Sequence, residues 1–503
     1  MTQARVEPSR RVGASVERDP ASGAQPVSRG MFLLCLLGLT AVAAALRLFR
    51  LGEPSMWIDE LFLIYHVTRE PNIDYWLRPL AYVPTQIGLW VQGIDPGSVS
   101  PHAMGTWRAA GIDEATLRLP SAVIGIASVF ILGWLTQRLV DRRTALVFTA
   151  LLAVATWHLW LSQAGRFYIQ QILLYNVCLI LYYDGLTRRS GRTLLACGVF
   201  FVLAFMTQMT SPMILGVFAI EAIVRRWRSG GVRGGARGGA RGGALTWLLI
   251  LAAAGVCGAV VWWWYDVSGF SAYGHGAAVL LAGTVWLIGV PVALAAAGGA
   301  AWLWGRDARL AAMLGAAALV PVAALVVLGW LGATVHTRYA CPSMYGWLLL
   351  AAIGLTAIFD NVRRDGGFAL AATASAVVLA TVLVSNLIYY TGGYGHRERW
   401  REAAGYIQRH RVEGELVLAD FVPLHIARYY LGTDDVHPLR FAFTEEDLAG
   451  YEAPAWLLVH GSAPTMIDRD EALPASLDLR AYFSHRTYQP YSSVHVYFFD
   501  PDG

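Results

Sequence analysis

The 503-residue chain contains no lysine; all 39 of its basic residues are arginine. That absence excludes Schiff-base lysine chemistry and any phosphate-binding loop of the GK[ST] type. Cysteine is scarce. Cys35, Cys178, Cys197, Cys257 and Cys341 all sit within or beside apolar runs, with no CxxC spacing. They read as small core residues, which excludes a disulfide framework and a thiolate metal centre. Charge is also sparse, at 15% of positions against 56% hydrophobic residues. A soluble domain does not carry that balance, and one anchor does not need 503 residues, so the composition specifies a polytopic α-helical membrane protein. The formal charge of +4 makes no case for a nucleic-acid partner.

About eleven apolar runs approach the roughly 20 residues that cross a hydrocarbon core. They lie near 31–49, 119–140, 143–160, 167–186, 193–209, 211–224, 245–265, 276–304, 309–332, 344–359 and 367–389. The first follows a long polar leader and continues to Phe49, so it reads as a retained helix and not as a cleaved signal. Arginines cluster before the first span and at Arg138/Arg142/Arg143, Arg188/Arg189/Arg192, Arg225/Arg226/Arg228, Arg306/Arg309 and Arg363/Arg364. These clusters occupy alternate loops, which by the positive-inside rule puts the N-terminus in the cytoplasm. An odd span count then places the C-terminus outside a bacterial-type inner membrane.

Three regions fall outside the spans. Residues 1–30 are polar and aperiodic and read as a disordered cytoplasmic tail. Residues 229–244 carry an RGGA repeat (Arg233, Arg237, Arg241), which serves as a positive, topology-fixing loop. Residues 391–503 read as a small extracytoplasmic α/β domain after the 31–390 membrane domain. Its helix is expected at 397–410, with strands at Leu416–Ala419, Trp456–Val459 and Val494–Tyr497.

The adjacent acids Asp59 and Glu60 follow the first span in a long outer loop, about 50–118. Leu61, Phe62, Leu63, Ile64 and Val67, then Tyr75, Trp76, Tyr82, Trp90 and Trp107, suggest short helices lying in the interface. Taken singly, each of these aromatics reads as part of a membrane belt.

At this point the motifs resemble a family. Arg47-Leu48-Phe49-Arg50-Leu51-Gly52 with Ser55, Trp57, Asp59 and Glu60, followed by Leu117-Arg118-Leu119-Pro120-Ser121-Ala122, is similar to the start of GT-C glycosyltransferases. The resemblance is to their protein O-mannosyltransferase and aminoarabinose-transferase group. Ser162-Gln163-Ala164-Gly165-Arg166-Phe167-Tyr168 resembles that group's SQ-x-x-R-x-Y loop, and Arg338-Tyr339 with Pro342 its late RY-x-x-P loop. Trp400-Arg401-Glu402-Ala403-Ala404 resembles the start of the terminal domain in bacterial members. The similarity covers roughly residues 40–390, with two departures. The usual HPPL stretch is replaced by Leu80-Ala81-Tyr82-Val83-Pro84-Thr85, and Gly165 stands where the group commonly has an acid.

The resemblance implies transfer of a sugar from a polyprenyl-phosphate donor to a protein, lipid or glycan acceptor at the outer membrane face, by inversion. Within it, the Asp59/Glu60 pair is the catalytic candidate. Asp59 serves as the base and Glu60 points elsewhere, so the two do not form a glycosidase pair. Arg166 and Arg338 would hold the leaving phosphate, since a guanidinium stays charged and forks onto its oxygens. Tyr168, Tyr339, His336, His158 and Tyr82 complete the candidate substrate contacts. Arg118, at a helix start, reads as a loop anchor. No cofactor is specified; one acidic pair is thin ground for a divalent metal, and metal dependence stays open.

Two other classes compete. A transporter or flippase for lipid-linked glycans would be expected to carry ionisable groups near the bilayer midplane. Here Glu221 and Asp184 sit near inner helix ends, which argues against ion coupling. A non-enzymatic scaffold would leave the outer-face arginines near the acidic loop unexplained.

Overall fold

A computed structural model describes residues 27–71, 73–229, 277–331, 333, 335–362, 368–392, 397–419, 421–439, 445–461, 476–484 and 493–501. The expected span at 245–265, nearly all of the tail at 1–30 and the RGGA repeat lie outside these residues.

Helix α1 (Arg29–Leu48) leads into a loop with three short helices, α2 (Ile58–Thr68), α3 (Ile73–Leu77) and α4 (Pro79–Val91). Next come α5 (Glu114–Thr136), α6 (Arg142–Val154), α7 (Thr156–Ser162), α8 (Tyr168–Arg188), α9 (Gly191–Phe205) and α10 (Ile214–Ser229). The later helices are α11 (Ala277–Ile288), α12 (Val290–Trp304), α13 (Ala308–Trp330), α14 (Met344–Val362) and α15 (Phe368–Gly392). By length and composition, five helices among the described residues can cross a membrane, or up to seven if each bent pair forms one span. Among the described residues the expected count of eleven spans is not reached. The 143–160 run breaks into α6 and α7, bent by 57°, and the 276–304 run into α11 and α12, bent by 86°. The 193–209 run gives the 15-residue α9.

Both breaks have local causes. Gly289, between α11 and α12, has φ +85°, which favours glycine. Between α6 and α7, Ala155 is extended and frees the preceding carbonyls. Arg47 donates to Leu152 O at 3.3 Å and Ala153 O at 2.8 Å, and Asn386 to Val154 O at 2.7 Å. No buried carbonyl can go unmet there without cost, so Arg47 is structural despite its charge.

Helix starts in the arginine-rich loops are set by acids. Asp141 caps α6 through Arg143 and Thr144 N–H, and Asp307 caps α13 through Arg309 and Leu310 N–H. Small residues let helices touch. A Cβ on Gly299 would lie 1.9 Å from Leu350 O, and one on Gly354 2.2 Å from Ala295 O, so α12 and α14 pack backbone to backbone.

After α16 (Trp400–His410) come β1 (Leu416–Ala419), α17 (Phe421–Leu431), β2 (His437–Pro438), α18 (Glu445–Leu448), β3 (Ala455–Gly461), β4 (Leu477–Ser484) and β5 (Ser493–Phe499). The sheet order is β2-β1-β3-β5-β4, with β1 parallel to β2 and β3, and β5 antiparallel to β3 and β4. Strands β1, β3 and β5 coincide with the three apolar runs. The edge strands β2 and β4 have no such signal. One buried face of α16 (Trp400, Ala403, Ala404, Ile407) packs on the sheet.

Candidate active site

The loop carrying α2 to α4, the turn between α7 and α8, and the 3-10 segment Thr337–Ser343 meet at one end of the helix bundle, beneath the terminal domain. Asp59 lies in the first turn of α2. Its Oδ2 is 2.9 Å from Arg338 Nη2, and both side chains keep about a sixth of their surface exposed (18% and 17%). Arg166 Nη1 donates to the Asp59 backbone carbonyl at 2.9 Å. Burial alone would lower the Arg166 pKa, but Asp59, Tyr168 and Tyr82 together outweigh it and the guanidinium is held above its ordinary value.

Aromatic rings pave this cluster. Arg338 lies over Trp57 at 4.9 Å, Tyr339 at 5.6 Å and Tyr168 at 5.9 Å, and Arg166 lies over Phe167 at 4.8 Å. His336 meets Tyr339 edge-on at 5.5 Å. Tyr82 stacks on Tyr75 and accepts from Arg78 Nη2 at 3.1 Å, while Arg78 also lies over Phe167 at 5.6 Å. The sequence reasoning passed over Arg78. Its signal was a third arginine on the outer loop, four residues before Tyr82. A narrow crevice beside Arg166, with room for about one water, is walled by Ala81, Pro84, Pro120, Ile124 and Phe167 together with the polar Thr85, Ser121 and Gln170.

Glu60 has no exposed surface and is turned into the protein. It takes a two-pronged pair from Arg118, Nε to Oε1 at 2.8 Å and Nη2 to Oε2 at 2.7 Å, and Gly165 N–H at 2.7 Å. Arg397, from the start of the terminal domain, approaches Oε1 at 3.9 Å. Burial would raise the Glu60 pKa, but the Arg118 and Arg397 charges and the Gly165 N–H outweigh it and hold it below the ordinary glutamate value. Arg118 also donates to Leu51 O, Pro54 O and Ser55 O, anchoring the loop that precedes α2. A Cβ on Gly165 would lie 3.0 Å from Leu117 Cγ and 3.3 Å from Glu60 Oε1. An acid at 165 would set a second carboxylate against Glu60, which accounts for the glycine here.

The Gln163 side chain donates to Leu46 O, Arg47 O and Phe49 O at the end of α1, and accepts from Tyr389. His158 does not join the Arg166/Arg338 cluster. It is buried between Arg47 at 2.7 Å and Ser128 at 2.9 Å. Trp107, expected in the belt, is fully buried, whereas Trp76 and Trp90 are exposed.

The donors do not suit a divalent cation. Asp59 is faced by two guanidiniums, Glu60 is spent on Arg118, and among the described residues no three His, Cys, Asp or Glu side chains converge.

Solved structures share this fold. The Archaeoglobus fulgidus oligosaccharyltransferase in its apo form aligns with TM-score 0.52 and 13% identity, over 86% of this chain and 70% of that one. ArnT from Cupriavidus metallidurans bound to undecaprenyl phosphate aligns with TM-score 0.51 and 14% identity, over 93% of this chain and 98% of that one. The chain shares the fold of these two solved structures. The oligosaccharyltransferase tethered to an acceptor peptide containing the NVT sequon gives TM-score 0.51 and 13% identity, over 86% of this chain and 69% of that one. No family model matches the sequence, and no curated protein matches it either. The likeness is therefore one of fold.

Proposed function

We propose that this protein is a membrane glycosyltransferase that takes a sugar from a polyprenyl-phosphate donor at the end of the bundle where the terminal domain sits, with Asp59 as base. The reading carries the earlier topology with it, in which that end faces away from the cytoplasm. The convergence of Asp59, Arg166 and Arg338 supports it most directly. The phosphate of such a donor suits the two guanidiniums, which stay charged and fork onto its oxygens.

In the transfer, an acceptor hydroxyl or amine attacks the anomeric carbon while its proton passes to the Asp59 carboxylate. The bond from that carbon to the phosphate oxygen breaks, and its electron pair leaves with polyprenyl phosphate. Attack opposite the leaving group inverts the centre. Arg338 pairs with Asp59 in the structure. A bound phosphate competes for that guanidinium, so donor binding frees the carboxylate for its proton while supplying Arg338 with a new partner. Tyr168, Tyr339, His336 and Tyr82 line the cluster and orient the sugar or phosphate, and Glu60 serves to fix the α2 start. The acceptor is a protein, lipid or glycan.

Undecaprenyl phosphate titrated into the purified protein in nanodiscs tests this reading. Arg338→Gln and Arg166→Gln should each weaken binding by about tenfold, the loss of one charge-assisted phosphate contact. Unchanged affinity in both variants would refute the phosphate assignment.

A further inference from the structure

We propose that the terminal domain positions the Asp59 base, and that Arg397 is the positioning residue that couples them. This rests on the glycosyltransferase reading and adds a role for the domain that the Asp59, Arg166 and Arg338 cluster does not require.

The domain grips the segment just before Asp59 at successive residues. Arg401 Nη2 donates to Gly52 O at 2.9 Å and Nη1 to Glu53 O at 3.1 Å, and Arg401 N–H donates to Ser55 Oγ at 3.2 Å. Tyr430 Oη accepts Met56 N–H at 2.6 Å and donates to buried Glu114 at 2.7 Å. Arg401 forms a second, ionic contact with that same Glu114. Thus residues 52, 53, 55 and 56 all have partners in α16 or α17, and the chain reaches Asp59 three residues later.

Arg397 makes the deeper connection. It is almost fully buried, donates from Nη2 to Gln163 O, and stands 3.9 Å from Glu60 Oε1. Its two targets belong to the two segments that hold the base. Glu60 neighbours Asp59, and Gln163 begins the short turn whose Gly165 N–H reaches Glu60 and whose Arg166 reaches Asp59 O. Residues 59–60 and 165–166 are therefore doubly joined, and Arg397 ties both sides to the terminal domain. One carboxylate, Glu60, faces two buried cations, Arg118 and Arg397, so the arrangement carries excess positive charge. A cation retained under that penalty is in keeping with a role in fixing geometry, not one of adding stability. A domain that merely covered the site would not need a buried arginine inside the membrane domain's own ion cluster.

Three variants of the full-length protein test the proposal in nanodiscs and in cells: Arg397→Gln, Arg397→Lys and Tyr430→Phe. Arg397→Gln should slow consumption of the lipid-linked sugar by about tenfold while undecaprenyl-phosphate affinity stays within about twofold of wild type. Arg397→Lys, which keeps one donor and the charge, should recover most of the rate. Hydrogen exchange at residues 56–61 should quicken in Arg397→Gln and in Tyr430→Phe, with the membrane helices unchanged. If Arg397→Gln does not fold, Tyr430→Phe carries the test, since it removes one hydroxyl. Wild-type turnover in both Arg397→Gln and Tyr430→Phe, or equal loss of turnover and carrier binding in the glutamine and lysine variants, overturns the positioning role. Failure of undecaprenyl phosphate to bind even the wild type would instead overturn the glycosyltransferase reading. Carrier binding together with unchanged exchange at 56–61 would overturn only this proposal.

Discussion

Asp59 and Glu60 are neighbours in sequence and face opposite environments. The Asp59 carboxylate meets Arg338 at a partly exposed surface, while the Glu60 carboxylate is sealed against Arg118 with no exposed surface. Successive residues in the first turn of a helix point about 100° apart, so one short stretch can serve a partly exposed surface and a core together.

Glu60→Gln keeps the shape and removes the charge that Arg118 and Arg397 face. Breaking a buried pair by neutralising one partner costs about 3–5 kcal/mol. Arg397 already leaves positive charge in excess, so the loss should lie in that range. Thermal unfolding in detergent should show a clear fall in melting temperature. A variant as stable as wild type would mean that the pair contributes nothing to the fold.

The same carboxylate gives a pH dependence of defined sign. Burial pushes the Glu60 pKa up, but the two arginines and Gly165 N–H hold it below the ordinary glutamate value. Its contribution to stability is therefore fully present above the unfolded-chain pKa of roughly 4.3 and is lost as pH falls through the lower folded value. Melting temperature in wild type should drop across that acid window. In Glu60→Gln the drop should be smaller, and an identical pH profile would contradict the assignment.

Gly165→Asp restores the acid that resembles the family pattern and sets it against Glu60. The new Cβ falls 3.0 Å from Leu117 Cγ and 3.3 Å from Glu60 Oε1, so both packing and charge oppose it. Overpacking alone costs about 1–3 kcal/mol, and the like charge adds to that. Combining Gly165→Asp with Glu60→Gln should recover part of the loss, a coupling readable in a double-mutant cycle of melting temperatures. Strict additivity would show that the two sites do not interact.

Much of this arrangement was legible in the sequence, for physical reasons. Asp59, Arg166 and Arg338 stand out because charges beside apolar spans are costly unless they are used. The strands at Leu416–Ala419, Ala455–Gly461 and Ser493–Phe499 announce themselves because they are interior, the first two through apolar runs and the third through apolar residues flanking His495, whereas β4 lies on an edge and mixes Asp478 and Arg480 with its apolar residues. The bend at Gly289 could not be read, since a glycine in an apolar run signals equally a close helix contact or a turn. Arg397 was also hidden. Its meaning lies in Glu60 and Gln163, and only the folded chain brings those two segments to it. His158 was misplaced because proximity in sequence to Arg166 says nothing about direction along a broken helix.

If Asp59 accepts the acceptor's proton, lipid extraction from cells whose only copy carries Asp59→Asn will show it. Losing a general base costs about 10²–10⁴-fold in rate, so the unused polyprenyl-phosphate sugar should accumulate, with the protein folded at normal levels in the membrane. Wild-type levels of that lipid, with transfer continuing normally, would contradict the assignment of Asp59 as the base.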